Sequence, residues 1–162
     1  MKMVPIASFL AAGAVASILT LASASYGRVI SGTACQKNAP TNASGTYSST
    51  GLTSQTAGIS VTCPYPDTNN DFKSDVQSIL MDLKDGDNAG QITAQPCSQP
   101  FGGSAVHCGG MDFSGGSFTG VITMSFNSAD LVNAWGPSFA SDYGTLTFNL
   151  PKQSTIYGFS TF

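Results

Sequence analysis

Residues 117–126 read S-F-T-G-V-I-T-M-S-F. Phe118, Gly120, Ile122, Met124 and Phe126 fall on every second position, with Thr119, Thr123 and Ser125 among the residues between them. Successive side chains of a strand point to opposite faces, so this alternation buries one face and leaves the other to solvent. The same period recurs at 59–63, where Ile59, Val61 and Cys63 alternate with Ser60 and Thr62, and at 143–150, where Leu146, Phe148 and Leu150 share a face. Residues 91–97, with Ile92 and Ala94 facing one way, and the closing residues 155–162 read as further strands. Turn signals separate them: Pro64 and Pro66, the polar run 67–71, Asp85 to Gly90, Gly109-Gly110 and Gly115-Gly116.

Short strands divided by such turns predict an all-β domain, a single antiparallel β-sandwich of immunoglobulin-like or jelly-roll-like type. Residues 25–58 read as loosely patterned strands and turns. One short helix is expected after Ser128, its N-cap, carrying Leu131, Val132 and Trp135 and stopping at Gly136-Pro137. Residues 72–84 fit two readings. Phe72, Val76, Ile79, Leu80 and Leu83 suit a helix, while Ile79, Met81 and Leu83 suit a strand, and the β-type neighbours favour the strand. Asp85-Gly86-Asp87-Asn88 then reads as a hairpin tip.

Only 9% of the 162 residues are charged, against about 25% in ordinary globular chains. There are six Lys+Arg, nine Asp, no Glu and one His, for a net charge of −3. So few cations cannot build the basic patch of a nucleic-acid binder. Charged faces for a coiled coil are equally scarce. With 41% hydrophobic residues, the chain lies far from the low-hydrophobicity, high-charge regime of disorder.

Lys2, the apolar stretch 4–21 and the small residues Ala22-Ser23-Ala24 form a signal-peptide pattern. Residues 1–24 are therefore expected to be removed, leaving 25–162 as one secreted domain, extracellular or periplasmic, with no membrane span. Export turns Cys35, Cys63, Cys97 and Cys108 into disulfide candidates. Of the three possible pairings, Cys35–Cys63 and Cys97–Cys108 are favoured, the second closing a loop that Pro100 and Gly102-Gly103 allow to double back. A zinc site at His107 and Cys108 lacks the usual ligand spacing. Asn42-Ala43-Ser44 is a glycosylation sequon.

Cys35, the strand ending in Cys63-Pro64, Cys97 in a later strand, and the closing Leu150-Pro151-x-x-Ser154-x-Ile156 form a pattern. In it the chain resembles a set of small secreted bacterial β-sandwich proteins of unknown function. The resemblance spans most of residues 25–162 and implies the fold and export, and no activity. The chain departs from the pattern where Phe148 stands in place of a cysteine in the strand before Leu150-Pro151.

The sharpest candidate for chemistry is Asp67-x-Asn69-x-Asp71 with Asp75 at the ninth position. Oxygen ligands at alternate loop positions suit calcium, a possible cofactor. Phe72 at the sixth position and Ser78 at the twelfth depart from an EF-hand, and the competing reading is a solvated turn. If the Asp85–Asn88 tip lay at the same end, the two could share an ion. For catalysis, His107 is the one imidazole and no nucleophile elbow is present. Paired aspartates of a small hydrolase are the residual option. Aromatic platforms for a carbohydrate ligand can come from Trp135, Tyr47, Tyr65, Tyr143 and Tyr157, with Trp135 and Tyr143 as the lead ligand-binding candidates. Against this, a lone indole is usually packed in a core. Finally, the uncharged strand 155–162, if it is a sheet edge, invites self-association. The sequence thus predicts a secreted, non-enzymatic protein that acts by binding or self-assembly. A carbohydrate-binding module, calcium-assisted, is the alternative, and a small hydrolase ranks third.

Overall fold

The computed structural model of the protein describes residues 28–38, 44–55, 58–65, 75–101, 105–116, 119–139 and 142–162. The signal-peptide stretch 1–24, the sequon at Asn42 and the calcium candidates Asp67, Asn69 and Asp71 lie outside these residues. The described chain forms β1 (Arg28–Ser31), β2 (Gln36–Lys37), β3 (Gly45–Ser48), β4 (Gly51–Ser54), β5 (Ile59–Tyr65), β6 (Ser78–Asp85) and β7 (Thr93–Gln99). It continues with β8 (His107–Cys108), β9 (Asp112–Phe113), β10 (Gly120–Asn127), the helix α1 (Ser128–Trp135), β11 (Tyr143–Leu150) and β12 (Thr155–Thr161). No helix among these residues is long and apolar enough to cross a membrane.

The strands build two antiparallel sheets. The first runs β10-β6-β12-β4-β3, with β1 continuing beyond β4 along the same flank of β12. The second runs β2-β5-β11-β7-β8, with β9 beside β8 along β7. Alternation does the sorting. Ile79, Met81 and Leu83 of β6, Met124 and Phe126 of β10, and Ile156 and Phe159 of β12 point inward from the first sheet. Ile59 and Val61 of β5 and Leu146, Phe148 and Leu150 of β11 meet them from the second. Burying each such side chain contributes about 1.5–3 kcal/mol, and together they form one core.

The strand reading of 72–84 holds for residues 78–85: Leu80, Asp82 and Lys84 face water while their neighbours are buried. The hairpin reading of Asp85–Asn88 does not hold. β6 lies in the first sheet and β7 in the second, so this connection crosses between layers. β5 runs through Pro64 rather than halting there, because β2 reaches only Thr62 and Val61 and leaves that flank of Pro64 open. The helix begins one residue earlier than expected. Asn127 is the cap, its Oδ1 accepting from the Ala129 and Asp130 amides while the Asp130 carboxylate accepts from the Asn127 amide.

Two expectations about the ends of the chain resolve differently. Both disulfides form as expected, Cys35–Cys63 and Cys97–Cys108. The first ties the passage from β1 to β2, which changes sheets, into the core, and the second pins β8 to β7. The closing strand, however, is not an edge. β12 has β6 on one flank and β1 with β4 on the other. Its lack of charge belongs to a strand enclosed on both flanks, so the proposed self-association edge is already occupied.

Candidate functional site

On the outer face of the first sheet the register sets residues in rows. Lys84 of β6 stands opposite Thr155 of β12, which stands opposite Thr53 of β4, which stands opposite Thr46 of β3. The hydroxyls of Thr53 and Thr155 lie 2.9 Å apart, and the Gln55 amide donates to Thr46 Oγ1 at 2.8 Å. One residue beyond Thr155 the ladder slips, leaving Tyr157 as an extra residue between Ile156 and Gly158. A bulge puts two neighbouring residues on one face: Tyr157 keeps the outward phase of Thr155, Gly158 shares it opposite the exposed Asp82, and Phe159 returns to the core.

Glycines make room for this bulge. A Cβ at Gly51 would sit 2.0 Å from the Ile156 carbonyl oxygen, and Gly51 itself adopts φ +153°. A Cβ at Gly32 would strike the same oxygen at 2.1 Å. Only glycine fits such close backbone approach.

Below the row, three connections meet on a buried carboxylate. Asp85 is fully buried. Its Oδ2 accepts from the Ser114 hydroxyl, and its Oδ1 from the Ser154 hydroxyl at 3.4 Å and the Asp87 amide at 3.2 Å. Ser154 Oγ in turn accepts from the Gly86 amide at 3.1 Å, and Ser114 Oγ from the Ile92 amide at 2.8 Å. This satisfies the carboxylate, as burial demands, and it locks the β11–β12 turn against the β6–β7 crossing. Gln153, at φ 61°, is held over Gly86 by that lock.

The result is an open cleft of about 660 Å³ lined by Thr50, Thr53, Gln55, Lys84, Gln153, Thr155 and Tyr157, with Asp85, Gly86, Thr119 and Gly120 at its base and rim. Hydroxyls, carboxamides and one ammonium offer donors and acceptors, and one phenol ring offers an apolar face. The single carboxylate of the lining spends its oxygens on internal donors, so the described cleft provides no pair of carboxyl groups for acid–base work.

The sequence candidates fall elsewhere. Trp135, a lead ligand-binding candidate, is only 1% exposed. Its Nε1–H donates to the Cys97 carbonyl at 2.9 Å and its ring packs 4.9 Å from that of Tyr65, which carries the Arg28 guanidinium at 5.7 Å. Trp135 is a core residue, and no sugar ring reaches its face. Tyr143 is exposed and pairs with Phe101 on the second sheet, remote in sequence register from the cleft. Tyr47 is committed to the Cys35 carbonyl through its hydroxyl at 3.0 Å. Asp75 is exposed, its three partner ligands lie outside the described residues, and among the described residues no cluster of three His, Cys, Asp or Glu occurs. At the Asp85–Asn88 tip, Asp85 is buried with its oxygens accepting from internal donors, while Asp87 Oδ1 accepts from the Ala89 amide in an ordinary turn. His107 stacks on Phe139 at 4.7 Å, and its neighbour Cys108 is oxidised, so no zinc pair forms there.

Of the cleft residues the sequence singles out Tyr157 as an aromatic platform and Asp85-Gly86 as part of an acidic tip. Thr53, Lys84 and Thr155 carried the weaker signal of occupying outward strand phases, and nothing in the sequence announced that Gln55 and Gln153 would join them.

No family model matches the chain, and no curated protein matches it in sequence. In structure it is similar to a xylan-binding module, CBM15, with a TM-score of 0.54 and 15% identity over 83% of this chain and 94% of that one. Weaker likenesses include Xylanase10C from Cellvibrio japonicus, a mutant in complex with xylopentaose (TM-score 0.46, 16% identity, 78% of this chain but 26% of that chain). Another is the Family 11 Carbohydrate-Binding Module of a cellulosomal cellulase of Clostridium thermocellum (TM-score 0.41, 12% identity, 83% of each chain). At 15% identity the likeness to the xylan-binding module bears on one property of this chain, its fold: a two-sheet antiparallel β-sandwich.

Proposed function

We propose that this protein is an exported, non-enzymatic module that holds a polysaccharide chain in the cleft on its first sheet. The observation that carries the reading is the lining itself. Thr53, Thr155, Gln55 and Gln153 supply hydroxyl and carboxamide groups of the kind that exchange hydrogen bonds with sugar hydroxyls, and Tyr157 supplies a ring for an apolar sugar face. The site is built on strands and a locked turn, so little ordering is required when a ligand arrives. Two disulfides fit an oxidising compartment and therefore export. The sandwich shared with a xylan-binding module agrees with this reading and makes xylan the first ligand to try.

Calorimetric titration with xylohexaose and cellohexaose tests it. The wild type is expected to bind at least one of the two. Tyr157→Ala is expected to bind at least about tenfold more weakly, the loss of about 1.4 kcal/mol that removing one central aromatic contact implies. Undiminished affinity and stoichiometry in a folded Tyr157→Ala variant would remove the cleft from the account.

A further inference from the structure

The outer face of the second sheet carries an array that the cleft does not use. Across it, Thr62 of β5 faces Thr147 of β11, which faces Gln95 of β7. In the next outward row Asn149 faces Thr93, which faces Phe113 of β9. In the opposite direction Thr145 faces Cys97, bridged to Cys108, and Tyr143 faces Gln99. None of these outward positions on the described strands carries a charge.

The hydroxyls here are aimed. Thr147 Oγ1 donates to the Gln95 carbonyl at 3.1 Å and Thr145 Oγ1 to the Cys97 carbonyl at 3.3 Å. Gln95 Nε2 donates to the Gly109 carbonyl at 3.0 Å. With their hydroxyl protons spent on the sheet, Thr145 and Thr147 have lone pairs to offer a ligand rich in O–H donors, while the Gln95 carboxamide keeps a second N–H and its oxygen. At the ends of the array stand aromatic rings in water. Phe101 is 81% exposed, Tyr143 58% and Phe113 53%, and the first two pack at 5.6 Å. The six residue steps from Tyr143 to Asn149, in the row of Phe113, span about 20 Å at the rise of a strand.

We propose that this face is a second glycan site, for an uncharged polysaccharide lying along β11 and β7 between the Phe101–Tyr143 pair and Phe113. Its neutrality matches a ligand without ionic groups. A second copy of the chain fits less well, since the middle of the face is Thr, Gln and Asn where a homodimer interface would place an apolar centre. The ligand chemistry rests on the reading of the cleft, but the residues do not overlap. A chain that grips two strands of polysaccharide on opposite faces cross-links them.

Titrations of the full chain with xylohexaose and cellohexaose decide the matter, using Tyr157→Ala, the pair Phe101→Ala/Tyr143→Ala, and all three together. The truncated rings of this second face are solvent-exposed, and melting curves check that each variant is folded. The expected stoichiometry is two oligosaccharides per chain in the wild type, one in Tyr157→Ala, one in the pair variant and none in the triple variant. The wild type alone should clump xylan-coated beads. A stoichiometry of one that only Tyr157→Ala abolishes overturns the second site and leaves the cleft standing. A stoichiometry of one that only the pair variant abolishes supports this face and overturns the cleft. No binding of either probe overturns both. A wild-type dimer in sedimentation that the pair variant dissolves makes a second copy the occupant and likewise overturns the proposal.

Discussion

Truncating Trp135, the one tryptophan of the sequence, separates core packing from ligand contact. The ring is 1% exposed, stacks on Tyr65, and donates from Nε1 to the Cys97 carbonyl. Removing a buried Trp side chain to Ala costs about 3–5 kcal/mol in transfer and cavity terms. The lost hydrogen bond adds about 1 kcal/mol rather than the larger orphan penalty, because the Thr145 hydroxyl still donates to the same carbonyl at 3.3 Å. The sum for Trp135→Ala is about 4–6 kcal/mol. For a domain of this size each kcal/mol moves the Tm by about 3–5 °C, so a fall of about 12–30 °C is expected. Trp135→Phe, which keeps most of the ring area, should lose about 1–2 kcal/mol. Thermal melting by circular dichroism reads the stability, and glycan titration of the Phe variant below its Tm reads the function. A Trp135→Ala protein melting within about 2 °C of wild type, or a folded Trp135→Phe variant that loses its ligand, would refute the placement of this residue.

Other outcomes follow from the same structure. Deleting residues 158–162 removes Phe159 and the partners of β1, so the shortened chain should be unfolded in far-ultraviolet circular dichroism rather than a well-folded monomer. Gly51→Ala brings a Cβ onto the Ile156 carbonyl at a positive φ; a loss of at least about 1 kcal/mol is expected in urea titration, together with weaker glycan binding as the Tyr157 bulge shifts. Replacing each cysteine pair by serine should lower stability, with bridged separations of 28 and 11 residues corresponding to about 3.6 and about 2.8 kcal/mol in chain entropy. Cleft affinity should survive a chelator, because the one carboxylate lining it is already satisfied by Ser114, Ser154 and the Asp87 amide; a titration that requires calcium would contradict this.

Period-two alternation made most of the architecture legible. Tyr143–Leu150 and Thr155–Thr161 form where the pattern places them, since burial of one face enforces the phase. What alternation does not carry is sheet membership. The run Asp85–Asn88 has hairpin chemistry, yet it crosses between layers because the partners of β6 are β10 and β12, both distant in sequence. The closing strand looked like an edge for the same reason: its flanks are covered by β1 and β6, contacts between the two ends and the middle of the chain. The site was less legible. Tyr157 stands in phase with Thr155, but the backbone beside it is approached so closely that only glycines fit at 32 and 51, an agreement among remote segments that no local window displays. Trp135 misled because an indole is equally suited to a core and to a sugar platform, and only its neighbours Tyr65 and Cys97 decide between them.

The most direct test of cleft binding is residue-resolved amide shift mapping by nuclear magnetic resonance during titration with xylohexaose or cellohexaose. The account predicts that the amides of Thr53, Gln55, Lys84, Gln153, Thr155 and Tyr157 move together along one saturating curve. Saturable binding that leaves all six unmoved would contradict it.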